Sequence, residues 1–301
     1  MSSDLLVNSS AMTALLALNR TQQNLNTYEN QVSTGLAISS AQQNAAYWSI
    51  ATSMNTQIGA LGAVSSSLSE SGSLLSTMNA ALQQTVTIMN NINNDLITAQ
   101  DLVNKGDTAD LAKTQQDIGD QIQSLLSLGQ STQVNGVNFL QATAGATVNL
   151  LSSYNPASGS QFITIATGTT TALFNTATTG ATSGILGTTG AASGLSVLNF
   201  NVVGASAAGI ANMITDLGKA STAVQTAASV VGATQNNVVE QQSFISNLSD
   251  SLTSAVGSLV DADMNQASTK ISALQVQQQL GVQALSIANS NTQLILKLFG
   301  Q

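Results

Sequence analysis

Residues 271–299 read ISALQVQQQLGVQALSIANSNTQLILKLF. Within them Ile271, Leu274, Gln278, Gly281, Leu285, Ala288, Thr292, Ile295 and Phe299 alternate steps of three and four without a break. That spacing predicts one amphipathic helix with a narrow apolar seam, the geometry of helices that pack lengthwise. The other end of the chain repeats the pattern between Asp4 and Val32, through Val7, Ala11, Ala14, Leu18, Thr21, Leu25, Tyr28 and Val32. Seams this thin cannot form a core alone, so each needs a partner: the other terminus, or the same segment of a neighbouring molecule. Chain ends usually fray, and two ends built to pack point to an assembly device. Its expected contact residues are Val7, Leu18, Leu25 and Val32 at one end, and Ile271, Leu274, Leu285, Ala288, Ile295 and Phe299 at the other.

Inward from the termini, the period becomes that of longer helices. Met54, Leu61, Leu68, Leu75, Leu82, Met89, Leu96 and Val103 fall on one heptad position, with Met78, Ile92 and Ala99 beside them and Ser71 and Thr85 weakening the companion row. A long helix is therefore expected to begin after Gly35, and its residues 54–103 would extend about 75 Å. Gly59, Gly62 and Gly72 each cost about 1 kcal/mol relative to Ala, so its early part is expected to bend or break. Lys105-Gly106-Asp107 reads as a helix stop followed by an N-cap. A shorter helix follows through Leu111, Gln115, Ile118, Ile122 and Leu125, ending near Gly129, and Asn135-Gly136 signals a hairpin turn. From 141 to 209 Ala, Thr, Gly and Ser dominate, and Pro156 is the only proline. Phe162–Ile165 and Val197–Val202 read as short strands there, and the helical heptads end before this stretch, so the rod core is not expected to draw on it. Ile210, Leu217, Val224, Val231, Val238, Ile245, Leu252 and Leu259 then restore the seven-residue repeat.

The expected fold is mainly α, palindromic in layout: a long antiparallel helical rod with its N- and C-terminal helices paired as a coiled coil, and a small β-rich insert at the far end. The expected segments are an N-terminal polymerisation helix (1–35), a rod half (36–140), the insert (141–209), a second rod half (210–262) and a C-terminal polymerisation helix (263–301).

Charged residues make up 7% of the 301 residues, against about 25% in ordinary soluble proteins, leaving Ser, Thr, Asn and Gln to cover the surface. Lys+Arg number 6 against 14 Asp+Glu, for a net charge of -8. That balance argues against nucleic acid, whose binding rests on basic contacts to phosphate, and against an anionic membrane surface. The chain has no Cys and no His, which removes disulfides, the usual zinc ligands and most nucleophilic triads. Lack of Cys suits a chain exported unfolded. The start, Met1-Ser2-Ser3-Asp4-Leu5-Leu6-Val7, has no basic region ahead of its apolar patch and does not resemble a cleaved signal peptide.

No constellation points to catalysis. Asp261 and Asp263 are two apart, so on a helix they diverge by about 200°; a helix start or turn is the simpler role. Asp107 and Asp110 read as acids of a helix first turn. The glycines between Gly180 and Gly187 lack the lysine and flanking elements of a phosphate loop, and Trp48 beside Tyr47 reads as a packing anchor. No enzyme, no cofactor and no metal site are expected.

These motifs resemble bacterial flagellin. Val32-Ser33-Thr34-Gly35-Leu36-Ala37-Ile38 is similar to the family's leucine-serine-serine-glycine-leucine-arginine-isoleucine stretch. Ala41–Ala46 is similar to the segment after it, and Asn135-Gly136-Val137-Asn138-Phe139-Leu140 to the family's asparagine-glycine hairpin. Gly232-Ala233-Thr234-Gln235-Asn236, Val260-Asp261-Ala262-Asp263-Met264 and Ala284–Asn289 with Leu294–Leu298 resemble three further family motifs, in order. The likeness covers about 1–140 and 205–301. It departs where the family carries arginine: at Ala37, before Asp261 and throughout Ser73–Val103, so neutral Asn and Gln contacts are expected to replace the family's salt bridges.

The resemblance implies a structural subunit that self-assembles into the helical filament of the bacterial flagellum. Implied partners are further copies of the chain, the flagellar cap and hook–filament junction proteins, and an export chaperone on the C-terminal segment. The implied location is outside the cell. A hook–filament junction protein of the same fold and a secreted coiled-coil adhesin, whose binding residues would lie in 141–209, are the alternatives.

Overall fold

The computed structural model describes residues 8–133, 138, 140–141, 147–155, 158–166, 172–173 and 184–299. Along the chain these form α1 (Ser9–Thr34), α2 (Ala45–Lys105), α3 (Thr108–Ser131), β1 (Thr147–Asn155), β2 (Gly159–Ala166), a 3-10 turn (Val197–Asn199), α4 (Ala207–Val260) and α5 (Met264–Phe299). The protein is mainly α with one small antiparallel two-stranded sheet. It divides into two compact units, one of residues 1–58 with 250–301 and one of residues 59–249.

In the larger unit the heptads do what their spacing demands. Leu68, Leu75, Leu82 and Leu96 of α2 are wholly buried, as are Ile210, Val224 and Val231 of α4. The weak companion positions are buried too. Thr85 Oγ1 donates to Ala81 O at 2.8 Å and Ser71 Oγ to Ser67 O at 2.8 Å, so each hydroxyl is satisfied one turn back and costs the core little. The two helices run antiparallel: Gln242 Nε2 donates to Ser69 Oγ, and Gln100 Nε2 to Ala207 O. The expected break in the glycine-bearing part of α2 does not occur. The helix is continuous from Ala45 to Lys105, because weak propensity at three glycines is outweighed by an unbroken buried row. Its beginning also differs from expectation. Residues 36–44 are non-helical, with Gln43 Oε1 accepting from Ser39 N at 2.6 Å and Asn44 Oδ1 from Tyr47 N at 3.2 Å.

α2 stops as its sequence requires. Gly106 takes φ +75°, which L side chains disfavour. Asp107 Oδ1 then accepts from Ala109 N and Asp110 N to cap α3. The Asn135-Gly136 turn lies outside the described residues, but Asn138 Nδ2 donates to Gly129 O at 2.6 Å, tying the chain to the end of α3.

Residues 141–209 depart most from expectation. Phe162–Ile165 does lie in a strand, β2, whose antiparallel partner β1 carries a bulge between Leu151 and Ser153. Val197–Val202 is not a strand. Its first residues form a 3-10 turn, and in place of a neighbouring strand the chain finds the amide of Gln115 on α3. Gln115 Nε2 donates to Phe200 O at 3.3 Å and Val202 N donates to Gln115 Oε1 at 2.7 Å. Val197 and Phe200 are buried, and Leu173, Leu186 and Val202 are buried completely. The core of this unit therefore does draw on the stretch, contrary to the heptad argument. A non-periodic segment gives no sign of which side chains it tucks in.

Asp216 of α4 fastens the same stretch. Its buried carboxylate accepts from Ala192 N, from Ser193 N at 2.6 Å and from Ser193 Oγ at 2.7 Å, with Lys219 at 3.6 Å. A Cβ on Gly190 would come within 2.2 Å of this carboxylate, so the loop can approach only as glycine. Burial alone would push the Asp216 carboxyl up, but the Ser193 and Ala192 donors, with Lys219, hold it below the usual carboxylate range. A group lowered in this way stabilises the fold above its unfolded value, about 3.9. The contribution drains away as pH falls from there through the lower folded value. We expect Asp216→Asn to lower the urea midpoint at pH 7, and the gap from the parent chain to narrow below pH 4. A gap independent of pH would mean that shape, not charge, holds the loop.

In the smaller unit the connectors between helices pair with each other. Ala37 N donates to Val260 O at 2.7 Å and Ala262 N to Gly35 O at 2.9 Å, with a bridge between Leu36 and Asp261. Beneath them Ala51, Val256 and Val260 form a small buried cluster, covered by Leu36, Ile38, Met54, Ile58 and Leu259.

Candidate self-assembly interface

The connectors deliver α1 and α5 side by side. Gly35, at φ +73°, ends α1 by donating its N–H to Gln31 O, and Asp263 Oδ1 caps α5 by accepting from Asn265 N and Gln266 N. Asp263 is thus the helix start read from the Asp261–Asp263 pair. At the far end of α1 Asn8 is the cap. Its Oδ1 accepts from Ala11 N, and its Nδ2 donates to Ala288 O at 3.0 Å.

The two helices pack antiparallel. Leu18 lies over Gly281, where a Cβ would meet Leu18 Cδ1 at 3.3 Å, and Gln278 Nε2 donates to Gln22 Oε1 at 2.6 Å. Extending the shared steps of three and four from these contacts sets Leu25 opposite Leu274 and Ala14 opposite Leu285. Leu25 and Leu274 are the most enclosed of the expected seam residues. Leu18, Val32, Ile271, Leu285 and Ala288 are partly covered. Ile295 and Phe299 stand in the last turns of α5, their side chains outside the described set, and Val7 lies outside the described residues altogether.

The seam leaves much apolar surface uncovered. On α5, Val276, Leu280 and Ile287 are each more than half exposed. At 100° per residue they fall within about 40° of one another, on the side opposite the seam. On α1, Met12, Leu15 and Leu16 are likewise exposed, before Asn19, Gln23, Asn26 and Asn30 take over that face. Tyr47, Ile50 and Met264 add to this in the same unit, and so does Trp48, 39% exposed rather than a packing anchor. The outward stripe on α5 has the same helical period as the seam and could have been read from 276, 280 and 287. Gln283 interrupts this row between Leu280 and Ile287, which makes it less visible than the continuous seam. Charge is almost absent here: Arg20 and Glu29 are the charged residues of α1, Lys270 and Lys297 those of α5. Among the described residues no group of three or more acids forms a metal site, and no helix is long and apolar enough to cross a membrane.

Residues 6–144 match the family model for the bacterial flagellin N-terminal helical region, and residues 214–299 match that for the bacterial flagellin C-terminal helical region. The chain belongs to the flagellin family. It is 35% identical to the flagellin of Brucella melitensis biotype 1, over 98% of each chain. It is also 31% identical to flagellin C of Rhizobium meliloti, again over 98% of each. Flagellin A of Rhizobium meliloti is 30% identical over 98% of this chain and 99% of its own length. Both flagellin models reach into the terminal helices, and the paired α1 and α5 leave apolar surface open on their outward faces.

Proposed function

We infer that this flagellin is a structural subunit that self-assembles into the helical bacterial flagellar filament used for motility, outside the cell, with α1 and α5 as its polymerisation helices. The observation that carries the reading is the doubled apolar character of those helices. One stripe joins them within the chain, and a second, through Val276, Leu280, Ile287, Met12, Leu15 and Leu16, is left for other copies. Residues 1–35 and 263–301 would form the polymer's contacts, 36–140 and 210–262 the rod, and 141–209 the outward insert. Export without a cleaved signal peptide, an escort chaperone on the C-terminal segment, and cap and junction proteins at the filament ends belong to the same reading. The role is structural, without a catalytic step.

Electron microscopy of the purified full chain tests this. Long uniform filaments are the expected result, whereas short rods or monomers would favour a junction protein or an adhesin. Assembly should also be nearly indifferent to salt, because screening acts on charge pairs and the terminal helices hold few charges. The pairs Lys105–Asp101 and Lys113–Asp110 are local and exposed, the kind worth little. Between low and high salt the critical concentration should move less than about threefold; a tenfold loss of polymer would reveal ion pairs between subunits.

A further inference from the structure

α5 carries two apolar rows, and one of them faces inward. The inner row runs Ile271, Leu274, Gln278, Gly281, Leu285, Ala288; the outer row runs Val276, Leu280, Gln283, Ile287. Each holds three large apolar side chains, so burial of apolar surface alone does not choose between them. Gln278 and Gly281, the weakest hydrophobic positions of the inner row, each have a dedicated fit. Gln278 Nε2 donates to Gln22 Oε1 at 2.6 Å, and Gly281 receives Leu18, leaving no room for a larger side chain without movement. A Val or Leu could make neither contact. Conversely, rotating α5 would leave the partly buried Gln22 Oε1 against an apolar side chain without its donor, while Gln22 Nε2 keeps Asn26 Oδ1 at 3.2 Å.

We propose that the Gln22–Gln278 pair is a specificity device that selects which face of α5 packs on α1, and so leaves the other apolar face for neighbouring subunits. It is the intrachain counterpart of a polar residue that fixes pairing in a coiled coil at some cost in stability. The consequence for the polymer rests on the assembly reading above; the choice of face does not.

The chain has no Cys, so paired cysteines report the face directly in the full-length protein. Ala11→Cys with Ala288→Cys tests the inner face, and Ala11→Cys with Ile287→Cys the outer. In the parent background, oxidation of the soluble chain should give the 11–288 disulfide almost alone. Gln22→Leu strands Gln278, and the ratio of 11–288 to 11–287 product should fall roughly tenfold, the size of one lost amide hydrogen bond. Adding Gln278→Leu removes the stranded amide and should restore the inner face, an outcome that simple loosening of the helix pair would not produce. Without cysteines, the single variant should polymerise poorly and the double variant should recover. An unchanged ratio in Gln22→Leu, or equal loss in both variants, would overturn the proposal. A parent chain that forms no filament would overturn the assembly reading, while the disulfide ratios still decide the choice of face.

Discussion

Leu285→Asp should abolish filaments while leaving the larger unit folded. Leu285 lies mid-seam on α5, opposite Ala14, with Gly281 and Ala288 on either side of it in the row and all of them partly or largely covered. An unpaired carboxylate placed there costs several kcal/mol or is forced to protonate. The chain's escape is to separate α1 from α5 or to rotate α5, and either route uses up or displaces the outward stripe. Every subunit carries the same defect, so the cost recurs at each addition step. A penalty of about 3 kcal/mol per subunit raises the critical concentration about a hundredfold. The buried rows Leu68–Leu96 and Ile210–Ile245 lie in the other unit, so far-UV circular dichroism should fall by no more than the terminal helices' share. Leu285→Met, which keeps volume and polarity, should polymerise normally. Sedimentation of polymer at rising concentration measures the effect. Normal filaments from Leu285→Asp would mean that this seam faces water.

The helical part of the fold was legible because its signal is periodic. A row such as Leu61, Leu68, Leu75, Leu82 has one explanation, and the Gly106-Asp107 stop is written in two residues whose backbone and side-chain demands are specific. The start of α2 was harder to see. Residues 36–44 have no strong breaker; their first part is held extended by the pairing of Gly35–Ile38 with Val260–Ala262, a contact across more than two hundred residues of sequence, and the rest is held by the Gln43 and Asn44 side chains. The interface was half legible. The inner seam reads directly from steps of three and four, but Gln22 is one polar residue among many, and only its hydrogen bond to Gln278 marks it out. Asp216 shows the same limit: its donors come from Ala192 and Ser193, in a stretch without period.

That stretch sets up the second large effect. Removing the hairpin alone, residues 147–166, should leave the larger unit stable, whereas removing all of 141–209 should unfold it or nearly so. β1 and β2 pair chiefly with each other; Phe162 and Tyr154 are exposed, and Leu150 is the one large apolar side chain they bury among the described residues. The rest of the stretch is different. Leu173, Leu186, Val197, Phe200 and Val202 are all buried. Each is worth about 1.5–3 kcal/mol when fully enclosed, so their joint loss is on the order of 10 kcal/mol, comparable with the whole stability of a typical domain. The longer deletion also strips Gln115 of its backbone partners at Phe200 and Val202, and takes the Ala192 and Ser193 donors away from the Asp216 carboxylate. Urea unfolding followed by circular dichroism should therefore show the hairpin deletion within about 1 kcal/mol of the parent chain. The full deletion should show a midpoint near zero denaturant, or soluble aggregate in place of filaments. Equal midpoints for the two deletions would mean that α2, α3 and α4 close over the vacated surface by themselves, and that the buried side chains of 172–202 are cover for a core complete without them.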